Sequence, residues 1–415
     1  MSSSLDPDLT GQNDLRGGTS PWGGSTARPR AARLTESIKT DILVVGGGIT
    51  GSLAAQHLAA LGLDVCIVDR EQPGLGSTNA STAMLQWEID CPLAELTSFY
   101  GFDQAASIYR RSLGAVQGLT GLVQSLQIPC LYRPRTTLYI ASAEGRSSEL
   151  LAEHALRQRA GLPGQFLEHR DLLSNFGIDR AAAILSPGSA DADPVLLSWG
   201  LLRAAVGQGA RLFDAMVTHY HASSNAVVVE TDSPFVIEAR HVILATGYVM
   251  PDFVGSALHS TASSWAIATV PQEDRNLWPG GELIWEASES YLYARTTQDG
   301  RIIIGGGDDE TVDPAERDAK SQAKEAFLVE SLARLWPAAD PTIAYSWSGA
   351  FGETEDGLPL IGPVPGYPRL LAAYGYGGNG ITFSFMASRI LAALCGGQRE
   401  DWFDAFSLDR PPPNG

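Results

Sequence analysis

The stretch DILVVGGGITGSLAAQHLAALGLDVCIVDRE, Asp41 to Glu71, constrains this chain more than any other. The short β-branched run Ile42 to Val45, closed by glycine, predicts a buried strand of a parallel sheet. Gly46, Gly48 and Gly51 follow in G-x-G-x-x-G spacing, with Ile49 and Thr50 between them, and open a helix. Gly46 permits a tight turn, Gly48 lets the backbone approach a pyrophosphate, and Gly51, one turn before Ala55, lets the helix pack closely on the sheet. Phosphates would rest on the free N–H groups at the positive end of that helix. Leu53, Ala54, His57, Leu58 and Leu61 recur at helical steps, and Gly62 is a natural stop. Val65 to Val68 predicts a second strand. It ends in Asp69, where this motif keeps an acid for a ribose diol, and Arg70 follows immediately. Strand, glycine turn, helix, strand and acid in this order predict a dinucleotide site.

A chain of 415 residues that is 44% hydrophobic has material for a large core and two domains. Its net charge of −18 argues against nucleic acid or an anionic membrane as partner and leaves cationic small molecules welcome. Cys66, Cys91, Cys130 and Cys395 are scattered without a C-x-x-C pair, and His57, His219 and His221 form no constellation, so no metal site is expected. No apolar run has the length of a membrane span and no signal peptide opens the chain, so the cytoplasm is the expected location.

Residues 1–39 are rich in Ser, Gly, Pro and Arg without a period and read as a mostly disordered extension, with Pro21-Trp22 as a docking point. After Asp69 comes a small-hydroxyl loop, GSTNASTA, Gly76 to Ala83, holding Ser77, Thr78, Ser81 and Thr82. Further on, a helix from about Pro194 leads into a strand through Arg211 to Val217, and the strand Phe235 to Leu244 ends in Ala245-Thr246-Gly247. A strand ending in small residues at the carboxyl edge of such a sheet is where a ligand is expected. Near the C-terminus the strand Leu370 to Ala373 runs into the turn Gly375 to Gly380 and an apolar helix, a second electropositive glycine-turned helix end.

With the Asp41–Glu71 motif, GSTNASTA resembles the flavin-contacting segment of the D-amino-acid oxidase superfamily of FAD-dependent amine and amino-acid oxidoreductases. That superfamily includes glycine oxidase, sarcosine oxidase and γ-glutamylputrescine oxidoreductase. The resemblance runs through the A-T-G strand and the C-terminal glycine turn, and so covers nearly all of the chain after residue 40. It implies an α/β fold, α+β overall, in which a Rossmann-type FAD-binding domain (40–100, 190–255 and 340–415) carries an inserted antiparallel-sheet substrate domain (101–189 and 256–339). It also implies cofactor contacts at Val217 and at Gly378, Asn379, Gly380 and Ile381, beside those already named. The flavin would take hydride from the carbon of a C–N bond, leaving an imine that hydrolyses. Substrate would be a small amine or amino acid, and oxygen or another acceptor would reoxidise the flavin.

Where glycine oxidases carry an arginine for the substrate carboxylate, this chain has Phe351, with Arg295 on a neighbouring strand as a substitute. Ile303 stands where sarcosine oxidases place a lysine that activates oxygen, and neither a cysteine near Gly349 nor a histidine near Ala80 is present, so the FAD is expected to be noncovalent. Trp285, Tyr291 and Tyr293 read equally as sheet packing or cavity lining. Glu88 and Asp90, spaced i and i+2 in an extended segment, would face one side and hold an ammonium, unless they are simply solvated or capping. Two other readings stay open: a nicotinamide-dependent dehydrogenase, and a flavoprotein subunit that no longer turns over.

Overall fold

The computed structural model describes residues 16–24, 26–142, 145, 147–288 and 292–413. Tyr291 therefore lies outside the described residues.

Two sheets organise the described chain. In the smaller, Ile38–Val45 is central, with Val65–Asp69 parallel on one side and Val236–Leu244 parallel on the other. The order from edge to edge is Val217–Ala222, Val227–Thr231, Val236–Leu244, Ile38–Val45, Val65–Asp69, Arg211–Asp214 and Ala32–Arg33, with Tyr367–Tyr374 also paired to Val236–Leu244. Alternate residues of the central strand point to opposite faces and both are covered, which is why its sequence is apolar without alternation. Ile42 and Val44 pack under the helix Ile49–Ala60, whereas Leu43 and Val45 meet Val68, Leu244 and Leu370 on the other face. The helices Pro194–Gly207 and Gly380–Cys395 flank Ile49–Ala60. Asp193 starts the first of them by accepting from Val195 N and Leu196 N at 2.9 Å each.

The larger sheet runs Arg16–Thr19, Ile343–Thr354, His259–Thr269, Ile302–Asp309, Leu292–Thr296, Leu283–Ala287, Arg133–Ala141, Ala182–Asp191 and Met84–Leu85, with Gln165–Glu168 paired to Ala182–Asp191. It is antiparallel except where Leu283–Ala287 lies parallel to Arg133–Ala141. The helix Pro314–Leu335 seals one face through Leu328 and Leu332 against Ile267, Ile302 and Ile304. On the opposite face Ile303, Ala266, Ala268 and Trp347 form an apolar layer that meets Trp22 and Ala80.

The structure corrects three expectations at this level. The described residues between 16 and 39 are not a disordered extension: Arg16–Thr19 extends the larger sheet along Ile343–Thr354, and Ala32–Arg33 extends the smaller one. Edge pairing uses backbone donors and acceptors, so it needs no side-chain period to show it. Ile343–Thr354, placed by sequence with the cofactor strands, belongs to the larger sheet, as does the short strand Met84–Leu85. Among the described residues no helix is long and apolar enough to cross a membrane.

Candidate active site

The glycine turn has the geometry its spacing requires. Gly46 has φ +106°, and a Cβ there would lie 2.3 Å from Ala245 O. A Cβ on Gly51 would lie 1.8 Å from Gly46 O, so the helix passes too close to the turn for any side chain. Asp69 Oδ2 accepts from Gly47 N at 2.6 Å and Oδ1 from Glu71 N at 2.9 Å, while Thr78 Oγ1 accepts from Ile49 N at 2.9 Å. The acid at the strand end and the small-hydroxyl loop are thus both tied to the turn. Burial pushes the Asp69 carboxyl up to about 6.

Around this turn opens a cavity of about 530 Å³ that reaches from the smaller sheet to the larger. Gly46, Gly48, Ile49, Thr50, Asp69 and Arg70 line it, as do Ser77, Thr78, Ser81 and Thr82 of the loop. So do Val217, Ala245, Thr246 and Gly247, together with Gly378, Gly380 and Ile381 from the C-terminal turn. Both glycine-turned helix ends therefore face one space. A Cβ at Gly380 would meet nothing within 4 Å, and one at Gly247 only Ser77 Oγ at 3.6 Å, so these backbone edges look onto open cavity. Ser77 Oγ is buried without a hydrogen-bond partner. A cavity of this volume, faced by two glycine-turned helix ends and an unengaged hydroxyl, fits a dinucleotide that carries a ring system.

Four sequence-predicted site residues lie elsewhere. Gly51 underlies the turn and does not line the cavity. Asn379 is buried and acts inward, with Oδ1 accepting from Asp90 N at 3.1 Å and Nδ2 donating to Glu88 O at 2.7 Å. Glu88, 1% exposed, turns away from the cavity to Thr137, Ser189 and Arg157. Residues 86–91 bend instead of running extended, so the i, i+2 rule that put Glu88 beside Asp90 does not apply. Arg295 is also absent from the lining: it is buried, bonds Thr82 O, Ala83 O and Ala192 O, and lies 3.6 Å from Asp191. It is not available for a substrate carboxylate.

The far end of the cavity is formed by Asp90, Trp285, Tyr293, Asp308 and Phe351, with Tyr248 and Tyr376. Tyr293 Oη lies 3.2 Å from Ser264 Oγ, and its ring covers Gly305, where a Cβ would fall 2.5 Å from it. Trp285 stacks on Tyr139 with centroids 3.9 Å apart. Burial, joined by the charge of Glu353, pushes the carboxyls of Asp90 and Asp308 up to about 6. Arg70, next to Asp69 in the chain, is the one basic residue among the described lining residues. Sequence reasoning did not single out Asp308; its signal was the run GGGDD at the end of a strand, where a bulge shifts the pairing register between Ser263 and Trp265.

Comparison with known proteins identifies what this geometry serves. The family model described as "DAO: FAD dependent oxidoreductase" matches residues 41–394, most of the chain. The chain belongs to the DAO family of FAD-dependent oxidoreductases. Gamma-glutamylputrescine oxidoreductase of Escherichia coli strain K12 is 27% identical over 90% of this chain and 87% of its own. Glycine oxidase of Bacillus licheniformis is 24% identical over 89% of this chain and 97% of its own. Among solved structures, glycine oxidase from Geobacillus kaustophilus superposes with a TM-score of 0.74 at 23% identity, covering 90% of this chain and 99% of that one. As a DAO-family member the protein is an FAD-dependent oxidoreductase acting on amines or amino acids.

Proposed function

We propose that this DAO-family enzyme oxidises a C–N bond of a small cationic amine that carries no carboxylate. One observation carries the reading: Asp90 and Asp308 stand at the aromatic end of the cavity, and no basic side chain among the described lining residues accompanies them there. An α-amino acid would bring its carboxylate toward two carboxylates with no cation lining that end to receive it, which is unfavourable at low dielectric; Lys324, which acts on Asp308, is bonded to Gly307 O and paired with Asp309 and is not among the lining residues. An ammonium meets two complementary charges and aromatic faces instead.

In this reading the smaller sheet carries FAD along Gly46, Gly48, Ile49 and Thr50, along Ser77, Thr78, Ser81 and Thr82, and along Gly378, Gly380 and Ile381, and the larger sheet provides the substrate walls. Asp69 holds the ribose end. No cysteine or histidine occurs among the described lining residues, which supports noncovalent binding. Bound FAD supplies the two-electron acceptor for hydride leaving the carbon next to nitrogen. Asp90 and Asp308 draw in the ammonium and accept its excess proton, because only the neutral amine has the lone pair that forms the C=N bond. Trp285, Tyr293 and Phe351 exclude bulk water and fix the carbon. The four cysteines are buried and free, which supports a reducing compartment such as the cytoplasm.

The test is an anaerobic titration of the yellow holoenzyme with primary, secondary and N-methylated amines and with the matching amino acids. Bleaching by amines alone is expected. Bleaching by amino acids and by no amine would remove the reading.

A further inference from the structure

Four successive carbonyl oxygens of the small-hydroxyl loop are caught by side-chain donors, of which Trp347 also lines the cavity while Trp22 and Arg295 do not. Ala80 O accepts from Trp347 Nε1 at 2.8 Å and Ser81 O from Trp22 Nε1 at 2.8 Å. Arg295 Nη1 then donates to Thr82 O at 2.9 Å and to Ala83 O at 2.8 Å. The three donors come from distant parts of the chain and contact one another. Trp22 meets Trp347 edge to face with centroids 6.4 Å apart, and the Arg295 guanidinium lies 5.5 Å from the Trp22 ring centre. The N-terminal segment continues the grip backward along the loop, with Ser20 Oγ donating to Asn79 Oδ1 at 2.7 Å and Arg16 Nε to Leu75 O at 2.9 Å.

This grip spans a strained residue. Ala83 has φ +53°, in the left-handed region that residues with a Cβ avoid, and the same guanidinium holds its own carbonyl and that of Thr82 before it. A strained residue persists where its surroundings over-determine it, and Arg295 is buried here with its charge balanced by Asp191.

Ala80, Ser81 and Thr82 line the cavity in which FAD binds. A carbonyl oxygen carries partial negative charge, and the flavin ring gains negative charge on reduction, so carbonyl dipoles turned toward it would oppose reduction. We infer that Trp22, Arg295 and Trp347 are positioning residues that hold the loop's carbonyls off the flavin, making the segment before the dinucleotide motif a working part of the cofactor site. This goes beyond the amine reading and does not depend on it, since it concerns FAD alone.

Trp22→Phe keeps the ring and removes the donor, leaving Ser81 O without its partner. Two quantities are measured: the FAD dissociation constant, from flavin fluorescence during reconstitution of apoprotein, and the flavin midpoint potential. The expected result is roughly tenfold weaker FAD binding, the size of one lost buried hydrogen bond, and a lower potential. Trp336→Phe is the control. It removes the same kind of bond, Trp336 Nε1 to Asn276 O at 2.7 Å, from a residue that does not line the cavity. A merely structural role for Trp22 would lower the melting temperature in both variants and leave the dissociation constant and potential of both unchanged. Should Trp22→Phe fail to fold, Trp347→Phe tests the grip through Ala80 O, keeping the ring that lines the cavity and removing only the donor. Wild-type FAD affinity and potential in whichever of the two folds would overturn the inference.

Discussion

Gly378 N donates to Asp90 Oδ2 at 2.6 Å, which seats this carboxylate in the glycine turn that opens the helix Gly380–Cys395. The fit is close on both sides: Gly377 has φ +55°, and a Cβ there would lie 2.5 Å from the same oxygen. The glycine turn that lines the cavity thus also holds one of the two acids at its aromatic end.

Asp90→Asn keeps an oxygen for Gly378 N and removes the charge. The KM for a cationic amine should rise roughly tenfold, the weight of one partly screened charge contact, with little change in melting temperature. Steady-state kinetics beside a thermal melt check this.

Asp308→Asn and Glu88→Gln should separate cleanly. Asp308 lines the cavity, and its substitution should weaken amine binding as Asp90→Asn does. Glu88 is buried against Thr137 and Arg157, so Glu88→Gln should leave KM unchanged and lower folding stability by about 1–3 kcal/mol, because the buried guanidinium loses a counter-charge. Denaturant melts and amine kinetics on both variants make the comparison.

Binding of a cation should depend on pH near 6. Burial raises both Asp90 and Asp308 to about 6, so each is charged above that pH and neutral below it. Attraction for a cation is therefore complete on the alkaline side and lost as pH falls through this range. A quaternary ammonium inhibitor has no proton of its own to lose, and its inhibition constant should rise from pH 8 to pH 5 by on the order of tenfold. In the Asp90→Asn, Asp308→Asn double variant that slope should flatten.

Gly51→Ala places a methyl 1.8 Å from Gly46 O, which only a shift of the helix against the turn can relieve. The variant should purify without flavin colour and be less stable by on the order of 3 kcal/mol. Absorbance per protein and a thermal melt report both.

Much of the cofactor side was legible in the sequence because its demands are local. Gly46 and Gly51 answer to atoms a few residues away or on the adjoining strand, and Asp69 lies one strand from the turn it binds. The substrate side depends on long-range register. Tyr293 and Arg295 share a face of one strand, yet Tyr293 lines the cavity whereas two residues on Arg295 passes beneath the loop Ala80–Ala83. Asp308 comes to the cavity from the end of a strand 218 residues after Asp90 in the sequence, and no periodicity connects them. The segment Arg16–Thr19 takes its order from the backbone of Ile343–Thr354, which composition cannot reveal.

The most direct test of a carboxylate-lined amine site needs no turnover. At pH 8 the oxidised holoenzyme is titrated with two isosteres of opposite charge, a short alkyltrimethylammonium and the corresponding branched alkyl carboxylate, and the flavin spectrum is followed. Perturbation by the cation with no response to the carboxylate is expected. Saturable binding of the carboxylate with none of the cation would place a carboxylate-bearing substrate in this cavity and refute the amine assignment.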